Sequence, residues 1–352
     1  MRGPGRSPFR QRVRVMQGYV PGEQPRDRRY VKLNTNENPY PPSPRVIEAL
    51  RDAVGESLRL YPRPLADELR ERAARSYHLA PENVLVGNGS DELLSIVMRA
   101  VVEPGEPVAY PVPTYVLYDT LVELHDGEPV RIPFAPDFSL PPELVEAPAR
   151  LVIVCNPNSP SGTMIPPRAL RPLCAARERL VVIDEAYVDF ADANCLDLLG
   201  EFSNVLVLRT LSKSYSLAGM RIGLALGAAA AIAELAKVKD SYNVNRLSIA
   251  AGAAALRDGR WMEANVRRIR RTRESLSQGL VALGFSVPPS QANFVLARRP
   301  GENLAPLYEG LKRRGVLVRY FPTPDLYDAL RITVGTDEEV AVMLRVLAQL
   351  LG

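Results

Sequence analysis

The sequence contains few of the residues that several common kinds of active site require. Two histidines, His78 and His125, are too few for a histidine-rich metal site or a Ser-His-Asp triad. The three cysteines, Cys155, Cys174 and Cys195, lack the spacing of metal ligands, and such a sparse, odd-numbered set is typical of free thiols in a reducing compartment. We therefore expect a cytoplasmic protein without a metal centre, whose chemistry depends on other residues.

The sequence also lacks long apolar runs, and the chain after its first 30 residues is not basic. No run of about 18 apolar residues occurs, so no membrane span is expected. The formal net charge is +4, but residues 1–30 hold eight arginines against Glu23 and Asp27, a balance of +6, so residues 31–352 sum to −2 (4 − 6). A near-neutral body argues against nucleic-acid binding. Residues 1–15 combine arginine with glycine and proline, which predicts a flexible arginine-rich tail.

The remainder of the 352-residue chain is long enough for about two domains. Residues 16–44, rich in proline and asparagine, should form an N-terminal arm that joins the smaller domain. Between residues 45 and 262, short aliphatic runs alternate with helical patterns, which predicts a large α/β domain with a mostly parallel sheet flanked by helices. A long basic helix over about 261–283 introduces a smaller α+β domain, placed at residues 263–352.

Strands are predicted from short aliphatic runs and helices from 3.6-residue periodicity. The predicted strands of the large domain are 83–86, 108–110, 151–154, 180–183 and 205–208. Its predicted helices are 66–77, 91–102 and 228–238. The predicted strands of the small domain are 294–296, 316–318 and 330–334.

Only five of the 44 basic residues are lysines, and one of them occupies a notable position. Lys213 follows the apolar run 204–208 and lies between two serines, eight residues before Arg221. Arginine keeps its proton, whereas a lysine amine can lose it and form a Schiff base. Taken alone, this segment is compatible with attachment of pyridoxal phosphate or with an ordinary loop lysine.

Three predicted strands end in polar residues: one runs into Asn156, one into Asp184 and Tyr187, and one into Lys213. Ligands bind at the carboxyl ends of strands in open α/β sheets, so these side chains are expected to converge. Asp184 could pair with the protonated ring nitrogen of a pyridine aldehyde cofactor, and Tyr187 and Asn156 could hydrogen-bond its 3-oxygen. Any one of them alone would also suit a turn or a helix cap.

A phosphate site is predicted where a glycine-containing turn opens a helix. The backbone amides of this turn and the Ser90 hydroxyl would cradle a phosphate, and Arg221 would add a charge-assisted pair. Tyr115 is the candidate for stacking on the cofactor ring. Such turns and aromatic residues also occur in ordinary cores, so each signal is weak alone. The predicted phosphate ligands are Gly89, Ser90, Asp91, Ser212 and Arg221.

In this order the motifs resemble the fold-type I pyridoxal-phosphate aminotransferases, in their class II branch. The segments that carry this resemblance are 156–162, 184–187, 212–213 and 219–223. Three more resemble the histidinol-phosphate aminotransferases in particular: 19–25, 33–40 and 330–336. The similarity extends from about residue 16 to the end. Ser159 and Ser161 replace the asparagine and threonine that are common in the family, and these small polar substitutions are not expected to alter the chemistry.

The resemblance implies a homodimer with active sites at the subunit interface. Tyr61 matches the tyrosine that reaches the cofactor phosphate of the partner subunit. Arg331 matches the arginine that holds the amino-acid carboxylate, and Arg319 and Tyr19 match positions that hold the substrate phosphate. Arginine suits both anions.

The implied reaction is a ping-pong transamination between histidinol phosphate and 2-oxoglutarate, giving imidazole-acetol phosphate and glutamate. Lys213 would serve as its general base and acid, with Asp184 and Tyr187 as the other catalytic residues.

Three alternatives share parts of this pattern. An aromatic or broad amino-acid aminotransferase and a threonine-phosphate decarboxylase would use the same cofactor cluster, and substrate assays would separate them. A regulatory module that binds the cofactor without turnover would carry an N-terminal DNA-binding domain. About 40 residues precede the body of this chain, without a helix-turn-helix pattern, which argues against the regulator. The preferred amino donor is not predicted.

Overall fold

The computed structural model describes residues 7–16 and 18–352. In that part of the chain the strands are β1 (Val31–Lys32), β2 (Val84–Gly87), β3 (Pro107–Val112), β4 (Glu128–Pro133), β5 (Leu151–Cys155), β6 (Leu180–Asp184), β7 (Val205–Thr210), β8 (Gly223–Gly227), β9 (Phe294–Arg298), β10 (Val316–Leu317), β11 (Arg319–Tyr320) and β12 (Ala329–Thr333). The α-helices are α1 (Gln11–Val15), α2 (Pro44–Ala53), α3 (Asp67–Ser76), α4 (Ser90–Val101), α5 (Leu117–Leu124), α6 (Pro142–Glu146), α7 (Pro167–Ala175), α8 (Ala229–Val238), α9 (Arg246–Arg257), α10 (Gly259–Ala282), α11 (Ala305–Arg313) and α12 (Asp337–Leu351).

A seven-stranded sheet organises the larger part of the molecule, in the order β2-β8-β7-β6-β5-β3-β4. Only β8 runs against its neighbours, pairing antiparallel with β2 and β7, while the other neighbouring strands pair in parallel. Every residue of β5 and β7 is buried, as expected for strands that are covered on both faces. This architecture confirms the predicted mostly parallel α/β sheet.

The two faces of the sheet support two hydrophobic cores. Along β5, Val152 and Val154 belong to one core cluster, whereas Leu151 and Ile153 belong to the other. Successive side chains of a strand point to opposite faces, so one aliphatic run contributes to both cores. This packing fixes the carboxyl ends of the central strands at one edge of the sheet.

A second unit contains the antiparallel sheet β11-β12-β9 and a third core cluster. The N-terminal arm joins it, because Val31 of β1 pairs in parallel with Val316 of β10 and Leu33 is buried in that cluster. Helix α10 crosses the boundary predicted after residue 262, and its buried apolar side chains from Val266 onward pack in the same cluster. The domain limits 45–262 and 263–352 stay predictions.

Part of the predicted tail has a defined place in the structure. Residues 11–15 form α1, which contacts α5, and Arg10 forms an ion pair with Asp126. Residues 1–6 lie outside the described residues, so the prediction of flexibility is not tested there.

Candidate active site

The carboxyl ends of the central strands form the floor of a cavity of about 220 Å³. Register places Asp184 directly beside Cys155 of β5 and Leu208 of β7. Lys213 follows the end of β7 by three residues. Most of the residues predicted from sequence line this cavity, although they lie as far as 312 positions apart along the chain (331 − 19). They are Tyr19, Ser90, Asp91, Tyr115, Asp184, Tyr187, Ser212, Lys213, Arg221, Arg319 and Arg331.

The Lys213 amine is held by a neutral partner. Its Nζ donates to the backbone carbonyl of Thr35 at 3.3 Å and lies 5.8 Å from the centre of the Tyr187 ring. Burial, followed by the positive charge of Arg331, lowers the pKa of Lys213 to about 8. About a tenth of the amine is therefore unprotonated at pH 7, far more than for an ordinary lysine, and this form is the one that a nucleophile or a general base requires.

Asp184 is a buried carboxylate at the end of β6. Tyr118 donates to its Oδ2 at 2.8 Å, and the backbone N–H of Ala186 donates to its Oδ1 at 3.2 Å. Burial raises the pKa of Asp184 to about 6. No lysine, arginine or histidine of residues 7–16 and 18–352 forms an ion pair with it. A buried carboxylate without a cation favours a positively charged ligand.

The N-terminal arm covers Tyr187 and Lys213 from above the strand ends. Asn36 donates to the Tyr187 hydroxyl at 3.1 Å, and Asn38 donates to the backbone carbonyls of Lys213 and Ser214 at 3.0 and 3.1 Å. Burial raises the pKa of Tyr187 to about 12, so its phenol keeps its proton. The arm therefore helps to fix the loop that carries the lysine.

The predicted phosphate cup lies at the N-terminus of α4. Gly89 has a positive φ of 90°, which favours glycine, and a Cβ there would lie 2.6 Å from Arg221 Nη2 and would displace that guanidinium. Arg221 Nη2 pairs with Asp91 at 3.0 Å, and its Nη1 lies 3.5 Å from the Ser212 hydroxyl. Asp91 therefore competes for Arg221 through its carboxylate, which is a different role from that of a phosphate ligand.

Arg331 enters the cavity from β12 and forms no ion pair within the part of the chain that the structure describes. It donates to the Ser159 hydroxyl and to the backbone carbonyl of Asn34, both at 3.1 Å, and its Nε is buried without a partner. The rings of Phe294 and Phe321 lie 5.3 and 5.6 Å from its guanidinium carbon. Burial lowers its pKa from the ordinary value. An enclosed guanidinium with neutral partners suits a carboxylate or phosphate ligand.

Arg319 lies at the mouth of the cavity, against the N-terminal arm. Its guanidinium donates to the backbone carbonyls of Pro21 and Val20 at 3.1 and 2.9 Å. The Tyr19 ring packs edge-on against Tyr115, with centroids 5.9 Å apart. Both side chains that were predicted to hold a substrate phosphate thus face the same opening.

Three predicted site residues do not line this cavity: Gly89, which lies at the N-terminus of α4 beside it, Asn156 and Tyr61. Asn156 is fully buried beneath it, where its amide donates to the carbonyl of Ile165 and accepts from the N–H of the same residue, at 2.9 and 2.8 Å. Tyr61 is 79% exposed and stacks on Tyr242, with ring centroids 4.5 Å apart. An exposed aromatic residue away from its own cavity is consistent with a role toward a second subunit.

Sequence reasoning missed residues that the structure brings to the site. Ser159, treated as an unimportant substitution, lines the cavity and binds Arg331, whereas Asn156 from the same motif does not line it. Thr35 and Asn36 contact Lys213 and Tyr187 from the arm. The arm motif 33–40 is predicted to matter only through its resemblance to the family, and its asparagines are the available signal in the sequence.

Among residues 7–16 and 18–352, no group of three or more histidine, cysteine, aspartate or glutamate side chains is arranged to hold a metal ion. Within the same residues, no helix has the length and apolar character needed to cross a membrane.

Known proteins are similar to this chain over nearly its whole length. A family model described as aminotransferase class I and II matches residues 28–347. Histidinol-phosphate aminotransferase 1 of Trichormus variabilis is 47% identical over 345 residues, which cover 97% of this chain and 99% of that protein. The Synechocystis histidinol-phosphate aminotransferase is 46% identical over 344 residues, with 98% of each chain covered. The chain belongs to the histidinol-phosphate aminotransferase family of the class I and II aminotransferases.

A solved structure agrees with this family membership. The crystal structure of histidinol-phosphate aminotransferase from Sinorhizobium meliloti in complex with pyridoxal-5'-phosphate has a TM-score of 0.89, with 27% sequence identity and 98% of each chain covered. The predicted fold class, family and type of enzyme are thereby confirmed.

Proposed function

We propose that this protein transfers an amino group between histidinol phosphate and 2-oxoglutarate, with pyridoxal phosphate as its cofactor. The observation that carries the proposal is that Lys213 shares one cavity with Asp184 and Arg331, and that none of the three forms an ion pair with another described residue. The cofactor supplies an aldehyde that reacts with amines and a pyridine ring that accepts electrons. The products are imidazole-acetol phosphate and glutamate, and the reaction serves histidine biosynthesis.

The cavity residues fit the chemical groups of this cofactor. Asp184 would accept from the protonated ring nitrogen, which offsets the cost of an isolated buried carboxylate. Tyr187 would donate to the ring 3-oxygen, since its phenol stays protonated. The N-terminus of α4 with Ser212 and Arg221 would hold the phosphate, because backbone amides and a guanidinium are anion donors. Tyr115 would pack against the ring.

Lys213 would move the proton of the reaction. With a pKa of about 8, its free amine can remove the proton from the substrate α-carbon and later return one. Its contact with Thr35 directs Nζ toward the arm side of the cavity.

Arg331 and Arg319 would hold the two anionic substrates. Arg331 would bind the carboxylate of glutamate or 2-oxoglutarate, and Ser159 would orient its guanidinium. Arg319 would bind the phosphate of histidinol phosphate together with Tyr19. Its present partners are the carbonyls of Val20 and Pro21, which leave its charge available to an anion.

We also infer a cytoplasmic homodimer. Val54, Leu58, Leu60 and Tyr61 are exposed within eight residues of one another, and they form an apolar strip that a second subunit could cover. Tyr61 would then extend toward the phosphate cup of the partner. A reducing compartment is consistent with three buried free cysteines.

Spectroscopy of the purified protein tests the proposed reaction. With pyridoxal phosphate we expect a visible absorption band from lysine-linked cofactor, its disappearance on addition of histidinol phosphate, and its return on addition of 2-oxoglutarate. Lys213→Ala should abolish the band, whereas Lys237→Ala should preserve it, because Lys237 pairs with Glu234 on the surface. Disappearance with phenylalanine alone would indicate an aromatic aminotransferase. Carbon dioxide release from phosphothreonine would indicate a decarboxylase. A band in Lys213→Ala would refute the role of the lysine.

A further inference from the structure

Tyr118, the second residue of α5, is a buried tyrosine that no sequence motif identifies. Its side chain has no exposed surface, and its hydroxyl donates to Asp184 Oδ2 at 2.8 Å. Its ring packs edge-on against Tyr115 and Tyr110, with centroids 5.7 and 5.9 Å apart. Tyr118 thus lies behind the cavity wall, and its hydroxyl contacts Asp184, which lines the cavity.

The surroundings of Asp184 make this hydrogen bond important for the ionisation of the carboxylate. Burial disfavours the charged carboxylate, and the charges of Asp91 and Glu185 act in the same direction. The neighbouring Cys155 thiol stays neutral, because burial raises its pKa. Among the described residues, the strongest contributions that favour the ionised form come from the Tyr118 hydroxyl and the backbone N–H of Ala186.

The two donors also fix the orientation of the carboxylate. Tyr118 binds Oδ2 and the N–H of Ala186 binds Oδ1, so rotation of the carboxylate would weaken both hydrogen bonds. A carboxylate can accept about four hydrogen bonds, so lone pairs remain for a donor in the cavity. Burial raises the pKa of the Tyr118 phenol well above its ordinary value, so its proton stays available to Asp184.

We propose that Tyr118 is a positioning residue whose hydroxyl keeps the Asp184 carboxylate charged and directed toward the ring nitrogen of pyridoxal phosphate. This role rests on the function proposed above. The same turn contributes a second contact, because the N–H of Tyr118 donates to the carbonyl of Tyr115 at 3.1 Å. The residue that would pack on the ring and the residue that orients its counter-ion are therefore held together.

Cofactor binding by Tyr118→Phe tests the proposal. Phenylalanine keeps the ring and removes only the hydroxyl. Tyr110→Phe is a matched control, since Tyr110 is also fully buried and its hydroxyl binds Asp119 instead. The ligands are pyridoxal phosphate and its analogue with a C–H group in place of the ring nitrogen. Dissociation constants are measured by fluorescence titration, and thermal unfolding of each variant verifies that it is folded.

We expect Tyr118→Phe to weaken binding of pyridoxal phosphate about 10-fold or more, in keeping with the loss of a hydrogen bond to a charged group. Binding of the analogue should be unchanged, and Tyr110→Phe should bind both ligands as the wild type does. In an Asp184→Asn background, Tyr118→Phe should add little, because the two groups act as a unit.

Two results would overturn the proposal: equal weakening of both ligands, which would make Tyr118 a packing residue, and no weakening of either. If Tyr118→Phe does not fold, the comparison is made with ¹⁵N-labelled cofactor bound to the wild type. A ring nitrogen that is unprotonated at pH 7 would then overturn the proposal, and a protonated one would support it. Failure of the wild type to bind pyridoxal phosphate at all would refute the proposed function itself.

Discussion

Replacing Lys213 with methionine should stabilise the protein in the absence of cofactor. Burying the protonated Lys213 amine in this cavity costs folding free energy, because its pKa falls from an ordinary value of 10.5 to about 8. This decrease corresponds to about 3 kcal/mol of unfavourable free energy for the charged amine at neutral pH. Water in the cavity reduces the cost, so about 3 kcal/mol is an upper limit. Methionine has a similar length and no charge to desolvate.

The pH dependence distinguishes this effect from better packing. Between pH 8 and 10.5 the unfolded chain binds more protons at this lysine than the folded chain does, so the Lys213 contribution to stability becomes more favourable as the pH rises. Below pH 8 both states are protonated and the full cost is present. The advantage of Lys213→Met should therefore be largest at pH 7 and should shrink toward pH 10.5.

Urea denaturation of cofactor-free protein at pH 7 and at pH 10 measures this difference. Lys237→Met is the control, since Lys237 is exposed and pairs with Glu234. It should change stability by less than about 1 kcal/mol at either pH. A Lys213→Met protein that is no more stable than the wild type at pH 7, or whose advantage is the same at both values, would refute the reasoning.

Two other substitutions test features outside the catalytic groups. Glu185→Gln removes the nearer of the two carboxylates that pair with the buried Arg209, at 2.7 Å, and should lower the free energy of unfolding by up to about 3 kcal/mol, because Asp189 stays as a partner. Glu201→Gln in an exposed pair should cost less than about 1 kcal/mol. Denaturant titration compares them, and equal losses would contradict the assigned burial effect. Tyr61→Ala should weaken the proposed dimer in light scattering and cofactor binding in titrations, whereas Tyr327→Ala should change neither. A fully dimeric Tyr61→Ala protein with wild-type cofactor affinity would argue against the interface role.

The sequence predicted the site best where the chain leaves a buried strand. The aliphatic runs before Asp184 and Lys213 mark central strands, because strands covered on both faces need apolar residues throughout. The rule that ligands bind at the carboxyl ends of such strands then brings the two residues together without further information. The register of Asp184 beside Leu208 agrees with that expectation.

Side-chain direction within a loop could not be predicted in this way. Asn156 and Ser159 lie three residues apart in one polar motif, and either could face the cavity. The structure uses the Asn156 amide to bind both backbone groups of Ile165, which leaves Ser159 to line the cavity. That choice depends on how the loop returns to the sheet, a tertiary property that local composition does not encode.

Long-range contacts and glycine-rich strands were missed for a similar reason. Thr35 meets Lys213 across 178 positions of sequence, so no local pattern indicates the pair. Strand β8 begins and ends with glycine and was not predicted, since glycine is unfavourable in strands. Its Gly223 has a packing reason, because a Cβ there would lie 2.4 Å from the carbonyl carbon of Gly89. Close approach of the two backbones brings β8 against the phosphate turn.

The charged groups of the cavity differ from buried charges elsewhere in the same chain. Arg209 is buried against Glu185 and Asp189, so its charge is compensated within the protein. Asp184 and Arg331, by contrast, have only neutral hydrogen-bond partners among the described residues.

The Arg221–Asp91 pair at the phosphate turn is an exception, and both of its side chains stay 43% exposed. Uncompensated charge in an enclosed site raises the free energy of the ligand-free protein, so a ligand that brings the opposite charges gains affinity from the same groups. The protonated ring nitrogen of the cofactor would compensate the negative charge of Asp184, and an anionic group of the substrate would compensate the positive charge of Arg331. The arrangement of charges therefore argues for the proposed ligands independently of any single residue.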